Sequence, residues 1–395
     1  MSAVERPSDT GDSNGVTVFL GCGFAAKYRE GGGVLSVPLQ WMLGLRRLNL
    51  DAIWLEIFPG TGDEQTDQAA IRGFQAQLRV HGLTKRYCLL YQPRPNDSHD
   101  FNQMHCFGIS RADLLNRLAG PNTLLNLSYS VHPPLLLEFE RRIFCDLDPS
   151  EIFYWMTKIE MGQSTHHEFW TIGLNAGAAD CKLPKSMLRW KTFFPLVDTE
   201  LIKPEQMPRI TKFTTIGQWY WGGAVEVDGN FPDLSKKYAF EKYLDLPARV
   251  ENARFELAMN ISDDDPERER LANHGWHLVD PHRVTRTARR YRRYVASASA
   301  EFTAIKGVDV SWRTGWLSDR AAVFLAMGRP VITEDTGATA HLPRQNGFRF
   351  VCDLQSATKA VQEVIGDWHW FSQIARETAV EVFDSTKNLR KILQI

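Results

Sequence analysis

Residues 313–337 read Arg-Thr-Gly-Trp-Leu-Ser-Asp-Arg-Ala-Ala-Val-Phe-Leu-Ala-Met-Gly-Arg-Pro-Val-Ile-Thr-Glu-Asp-Thr-Gly. Gly315 opens a turn, Ser318 and Asp319 supply a cap and a first-turn acid, and the apolar run Ala321 to Met327 predicts a helix. Gly328 and Pro330 stop that helix. Val331 to Thr333 predicts a short buried strand that ends on the polar loop Glu334, Asp335, Thr336 and Gly337. Loop, helix, strand and polar loop make one unit of an open α/β sheet, which places its ligands outside the carboxyl ends of its strands. The first N–H groups of a helix have no partner within it and form a natural cradle for a diphosphate. Arg313 and Arg320 flank this cradle with guanidinium groups that suit phosphate oxygens, and Lys306 is a further cation for the same task.

Working outward, the same alternation fills both halves of the chain. Val16 to Gly21 predicts a first strand, a glycine-rich loop from Gly21 to Gly33 follows, a helical pattern starts at Val34, and Asp51 to Glu56 predicts a second strand. Further strands are expected at 87–91, 142–145 and 169–173, with helices at 71–80 and 110–118 and a long loop at 175–189. The second half starts again with strands at 211–219, 255–261 and 276–279, and helices at 267–274 and 291–302. Helical stretches close the chain at 357–366, 370–383 and 387–393. The expected organisation is a polar disordered tail over 1–14, a first domain over 15–195, a second over 196–370, and a C-terminal helix over 371–395 that packs back on the first domain.

The bulk properties exclude several classes of function. A formal net charge of −1 supplies no basic field for nucleic acid, and the cluster Arg286, Arg289, Arg290, Arg292 and Arg293 reads as a solvated helix face. No apolar run approaches the roughly 18 residues that would span a bilayer, so no membrane partner is expected. The six cysteines are scattered without a Cys-x-x-Cys pair, which supports neither a zinc site nor a disulfide framework and points to the cytoplasm.

Other candidates for chemistry lie in the first half and at the domain junction. Asp146-Leu147-Asp148-Pro149 follows a strand, and Asp148 is the first candidate for a general base, with His166, His167 and Asp100 as alternatives. The competing reading of Asp148-Pro149 is that it simply initiates a turn. The His-rich stretches 99–105 and 164–168 fit no metal-ligand spacing. Trp219, Tyr220 and Trp221 form an aromatic cluster at the end of a strand, either core or a stacking wall for an acceptor.

These segments resemble the GT-B glycosyltransferases. Gly315-Trp316-Leu317-Ser318 is similar to the Gly-Trp-x-Ser of plant and antibiotic members, and 328–332 to their Gly-x-Pro-hydrophobic strand. A bacterial group of natural-product type also carries the Asp-x-Asp-Pro, Gly-Trp-x-Ser-Asp-Arg and Phe383-Asp384-Ser385 signatures. The resemblance implies an α/β chain of two Rossmann-like domains facing across a cleft, and transfer of a sugar from a nucleoside diphosphate sugar to a small soluble acceptor, O- or S-linked. It implies donor binding by Gly32, Gly33, Lys306, Arg313, Gly315, Ser318, Asp319, Arg320, Glu334, Asp335, Thr336 and Gly337, acceptor binding by Asp100, His167 and Trp219, and no metal or other cofactor. Departures from the pattern are Arg313 near the phosphate-binding histidine of the plant enzymes, Ala321 at their ribose-binding glutamate, and no histidine in 22–29, where they carry their base. A non-catalytic nucleotide-sugar binder and an epimerase or hydrolase on the same scaffold are the competing expectations. The nucleotide, sugar, acceptor, stereochemical outcome and oligomeric state stay open.

Overall fold

A computed structural model describes residues 15–28, 32–94, 100–208 and 210–395. The expected tail at 1–14, Gly31 of the glycine loop and His99 lie outside the described residues. Among the described residues, fourteen strands form two sheets. The first contains β1 (Thr17–Gly21), β2 (Asp51–Pro59), β3 (Tyr87–Gln92), β4 (His105–Gly108), β5 (Asn122–Leu127), β6 (Arg141–Asp146), β7 (Glu168–Thr171) and β8 (Trp190–Thr192) in the order β4-β3-β2-β1-β5-β6-β7-β8. All its pairs are parallel except β3 with β4. The second contains β9 (Lys212–Gln218), β10 (Arg254–Asn260), β11 (Trp276–Leu278), β12 (Ala300–Phe302), β13 (Val331–Thr333) and β14 (Phe348–Phe350), all parallel, in the order β11-β10-β9-β12-β13-β14. Strands covered by helices on both faces bury almost every residue, as β1, β3 and β5 do here. Both sheets reverse their strand order, at β1/β5 and at β9/β12, and such a reversal opens a crevice at the carboxyl ends.

Three expectations are corrected. The helix expected over 291–302 ends at Ala296, and Ala300–Phe302 is β12, held between β9 and β13. Alanine and serine in 296–300 carry no strand signal of their own, so pairing within the sheet decides the outcome. Asp148-Pro149 is not a simple turn: it starts the Pro149–Met156 helix, with proline in the first turn, where its missing N–H costs nothing. The C-terminal segment is also divided. The Trp368–Thr378 helix packs on the Asp319–Ala326 helix of the second half, and only Ser385–Leu393 returns to the first, against the Gly32–Arg47 helix.

The chain crosses between the halves twice, and the crossings touch. The Val197 N–H donates to the Phe383 carbonyl and the Ser385 N–H donates to the Val197 carbonyl, each at 2.9 Å. Asp384 accepts from the Thr199 hydroxyl at 2.6 Å and also caps the Ser385–Leu393 helix through the N–H groups of Thr386 and Lys387. Gly44 permits the return of that helix. A Cβ there would stand 2.6 Å from Leu389 Cδ1 and 2.8 Å from Ser385 Cβ. Gly44→Val is therefore expected to cost about 1–3 kcal/mol by overpacking, read as a lower midpoint of urea unfolding with an unchanged slope.

Candidate functional site

The carboxyl ends of β9 and β10 face the start of the Gly32–Arg47 helix across a cavity of about 330 Å³. Gly33 and Ser36 line it from the first half, and Gly217, Asn260, Ser318, Asp319 and Arg320 from the second. Ser318 is the N-cap of the Asp319–Ala326 helix, and its hydroxyl accepts from the Arg320 N–H at 3.1 Å. The remaining first-turn N–H groups give this wall of the cavity a positive end. Burial pushes the Asp319 carboxyl up to about 7, which reduces the negative charge held beside that end near neutral pH.

Arg320 faces the cavity, yet its guanidinium is already engaged. It pairs with Glu301 of β12, which is fully buried, and donates to the Ile216 carbonyl of β9 at 2.7 Å and to the Thr303 hydroxyl at 3.3 Å. It therefore bridges β9 and β12 at the point where the strand order reverses. A second cation lies beside it. Lys236 donates to the Ala304 carbonyl at 2.6 Å and to the Thr303 hydroxyl at 3.4 Å. Burial, aided by Arg320 and Lys306, pulls its ammonium down to about 7. Lys236 was not among the sequence candidates. It lies well past β9 in a loop-to-helix stretch without a recognisable motif, and only the packing reveals it.

The two glycine turns have a single cause. Gly315 and Gly337 both have positive φ, +76° and +86°. A Cβ on Gly315 would stand 2.7 Å from the Asn175 backbone nitrogen, and one on Gly337 2.4 Å from Asn175 Nδ2. Asn175, in the loop after β7, donates from its backbone to the Thr314 carbonyl at 3.1 Å and from its side chain to the Arg313 carbonyl at 2.8 Å. His341 completes the contact at 2.7 Å from Asn175 Oδ1. The Gly315 N–H and the Thr336 hydroxyl tie the 313–318 and 334–337 loops to each other. Asp335 accepts from the N–H of Gly337 at 2.8 Å, so it shapes its own loop. Arg313 turns outward to Asp180 at 2.8 Å. Glu334 is buried, accepts the Ile305 N–H at 2.8 Å and pairs with Lys242.

Asp148 meets Lys306 across the cleft. The Lys306 ammonium lies 2.6 Å from Asp148 Oδ2 and 2.8 Å from Glu151 Oε1, and 4.7 Å from the centre of the Trp221 ring. The Trp221 indole N–H donates to the same Glu151. Burial raises the Asp148 carboxyl above its usual range and Lys306 opposes that rise. Burial works against the Lys306 ammonium, but Asp148, Asp309 and Glu151 outweigh it and hold its pKa above the usual lysine value. Beneath them Asp146 accepts from the Asp148 N–H at 2.8 Å and the Thr171 hydroxyl at 2.5 Å, and Asp309 accepts from Thr314 at 3.1 Å. Burial lifts both carboxyls to about 7. Among the described residues no group of His, Cys, Asp and Glu has the arrangement of a metal site.

The three acceptor candidates are not brought together. Trp219 is 1% exposed in the core of the second sheet, 5.6 Å from Phe240, whereas Trp221, two residues on, reaches the cleft. His167 precedes β7 at the amino end of the sheet, bonded to Arg142, at the opposite end of the strands from Asp146 and Asp148. His166, an alternative base, is buried there too, against Asn126 and the Gly162 carbonyl. Asp100 lies in the loop before β4 and accepts from Asn102 and Gln103.

No family model matches the chain, and no curated protein sequence does. Solved structures match along almost its whole length. Sucrose-phosphate synthase from Thermosynechococcus elongatus is 11% identical, with 96% of this chain and 98% of that one covered at a TM-score of 0.54. Anabaena Alr3699/HepE, solved in complex with UDP and glucose, is 10% identical, with 96% and 98% covered at 0.55. AviGT4, a glycosyltransferase involved in avilamycin A biosynthesis, is 10% identical, with 96% of each chain covered at 0.51. With two parallel-sheet domains facing across a cleft and a terminal helix returning to the first, the chain has the GT-B glycosyltransferase fold.

Proposed function

We propose that this protein transfers a glycosyl group from a nucleoside diphosphate sugar to a small-molecule acceptor. The observation that carries the reading is the cavity at the strand-order reversal, where the amino end of the Asp319–Ala326 helix and the start of the Gly32–Arg47 helix converge, with the Lys236 side chain packed behind Gly217 of its wall. In this reading the diphosphate lies against the helix end and Lys236, so charge developing on the departing group meets fixed donors without a metal bridge. Gly315, Ser318 and Asp319 shape that wall. Arg320, occupied by Glu301, acts as fixed charge, and Glu334, Asp335, Thr336 and Gly337 form the adjoining sugar loop. Asp148 is the proposed base, with Lys306 opposing the rise that burial imposes on its carboxyl. The acceptor lies on the first-domain side, within reach of Trp221. The UDP and glucose bound to HepE support the donor class, and the involvement of AviGT4 in avilamycin A biosynthesis supports a natural-product setting. The product of the proposed transfer is O- or S-linked.

One observation favours a second reading, a nucleotide-sugar binder without turnover: Asp148 is held by Lys306 and is not free for an acceptor proton.

Thermal unfolding with UDP, GDP, dTDP and ADP tests the donor site. A selective rise of about 2.7 kcal/mol in stability at a hundredfold excess over Kd is the expected result, and no shift with any of them removes the reading. Lys236 makes the same binding pH-linked. Below pH 7 both folded and unfolded chains hold its proton and the cost of burying the charge is present in full. As pH rises from 7 towards 10.5, only the folded chain has released the proton, and stability recovers. A diphosphate restores the charged form, so binding at pH 8 takes up a proton, and at pH 6 it does not. Calorimetry in two buffers of different ionisation enthalpy reads this, and Lys236→Met abolishes the uptake. Asp148→Asn is expected to lower kcat by about 10²- to 10⁴-fold while the nucleotide-induced thermal shift persists. Undiminished turnover in this variant would remove Asp148 as the base.

A further inference from the structure

The antiparallel hairpin at the edge of the first sheet brings two thiols together. Cys88 on β3 stands opposite Gly108, and Cys106 on β4 stands opposite Leu90, so the cysteines are diagonal neighbours on one face. Their sulfurs are 3.5 Å apart. Gly108 has no side chain to fill the place opposite Cys88, and a Cβ there would fall 2.1 Å from the Tyr87 carbonyl oxygen. Cys88 is buried, whereas Cys106 is partly open to solvent.

We propose that Cys88 and Cys106 form a reversible oxidation site, closing to an intramolecular disulfide in the presence of a hydroperoxide. This inference stands apart from the glycosyl-transfer reading. The sulfurs have to approach from 3.5 Å to about 2.05 Å, and β4 is the edge strand of its sheet, paired among the described residues with β3 alone, so it can shift. The contact from Cys88, against the cost of burial and with help from Arg111, holds the Cys106 thiol below its usual pKa, so Cys106 supplies the attacking thiolate. Its sulfur attacks one oxygen of hydrogen peroxide, the O–O bond breaks, and a sulfenic acid forms. The hydroxide released takes up the proton that Cys106 had lost and becomes water. Cys88 then loses its proton and attacks the sulfenic sulfur, forming the S–S bond and expelling a second hydroxide, which takes that proton. Two thiols and one peroxide give one disulfide and two waters.

The full-length protein is treated with a small molar excess of hydrogen peroxide, enough for a second oxidation of one thiol, under native conditions, alkylated, digested and mapped by mass spectrometry. The expected result is a peptide pair linked through Cys88 and Cys106, lighter by two hydrogens and separated by dithiothreitol. Cys88→Ala should abolish the link and drive Cys106 on to sulfinic acid. Recovery of Cys106 as sulfinic acid from the unsubstituted protein, with Cys88 still alkylatable after unfolding, overturns the proposal.

Discussion

Asn175 fixes the shape of the 313–318 and 334–337 loops, although it belongs to the other half of the chain. Its backbone and amide hold the Arg313 and Thr314 carbonyls, and the space it occupies is the reason positions 315 and 337 carry no side chain. A glycine at positive φ is often read as a local turn requirement. Here two such glycines answer to one residue of the other half, Gly315 to the Asn175 backbone and Gly337 to its side chain. The form of the loop that leads into Ser318 is therefore not a property of the second sheet alone, because it depends on the loop after β7 docked against it.

The electrostatics follow from the same docking. Arg320 and Glu301 neutralise each other at the strand-order reversal, and a buried pair of this kind adds little stability while leaving a large penalty if either partner is lost. Its benefit is positional, since the guanidinium joins two central strands and lies close enough to Lys236 to depress the lysine's pKa. On the other side of the cleft, one ammonium, Lys306, faces Asp148, Glu151 and Asp309. The site thus holds its cations and carboxylates in partly neutralised form, with several groups near pH 7 in their titration.

Much of this was legible in the sequence where the signal is local. The cap at Ser318, the stop at Gly328 and Pro330, and the strand-to-loop passage at Thr333 each depend on a few consecutive residues, and each is where it was expected. The Phe383-Asp384-Ser385 signature was legible as a pattern but not as a role; Asp384 proves to sit at the chain crossing, bonded to Thr199. What escaped depends on packing between distant segments. Both Trp219 and Trp221 lie past the end of β9, where the strand's alternation no longer applies; Trp219 packs into the core and Trp221 reaches the cleft, and nothing in an aromatic cluster fixes that division beforehand. His167 carries suitable chemistry at the wrong end of its strand. β5 lacks a clean apolar run because Asn122 and Asn126 interrupt it, and both are buried with their amides bonded.

The paired crossing at Val197 and Phe383–Ser385 has a mechanical consequence. Two chain segments join the halves, and they are bonded to each other, so they behave as one pivot and not as two separated tethers. A pair of tethers set apart would resist twisting and confine the halves to a fixed spacing. A single pivot leaves rotation about it as the low-cost motion. Any such rotation acts with the longest lever arm on the contacts farthest from the pivot. Separation of Lys306 from Asp148 and of Asn175 from its two loops would then be coupled as parts of one swing, so that exposure of the cleft to water, loss of the cradle's shape and release of the carboxylate's counter-ion are a single event.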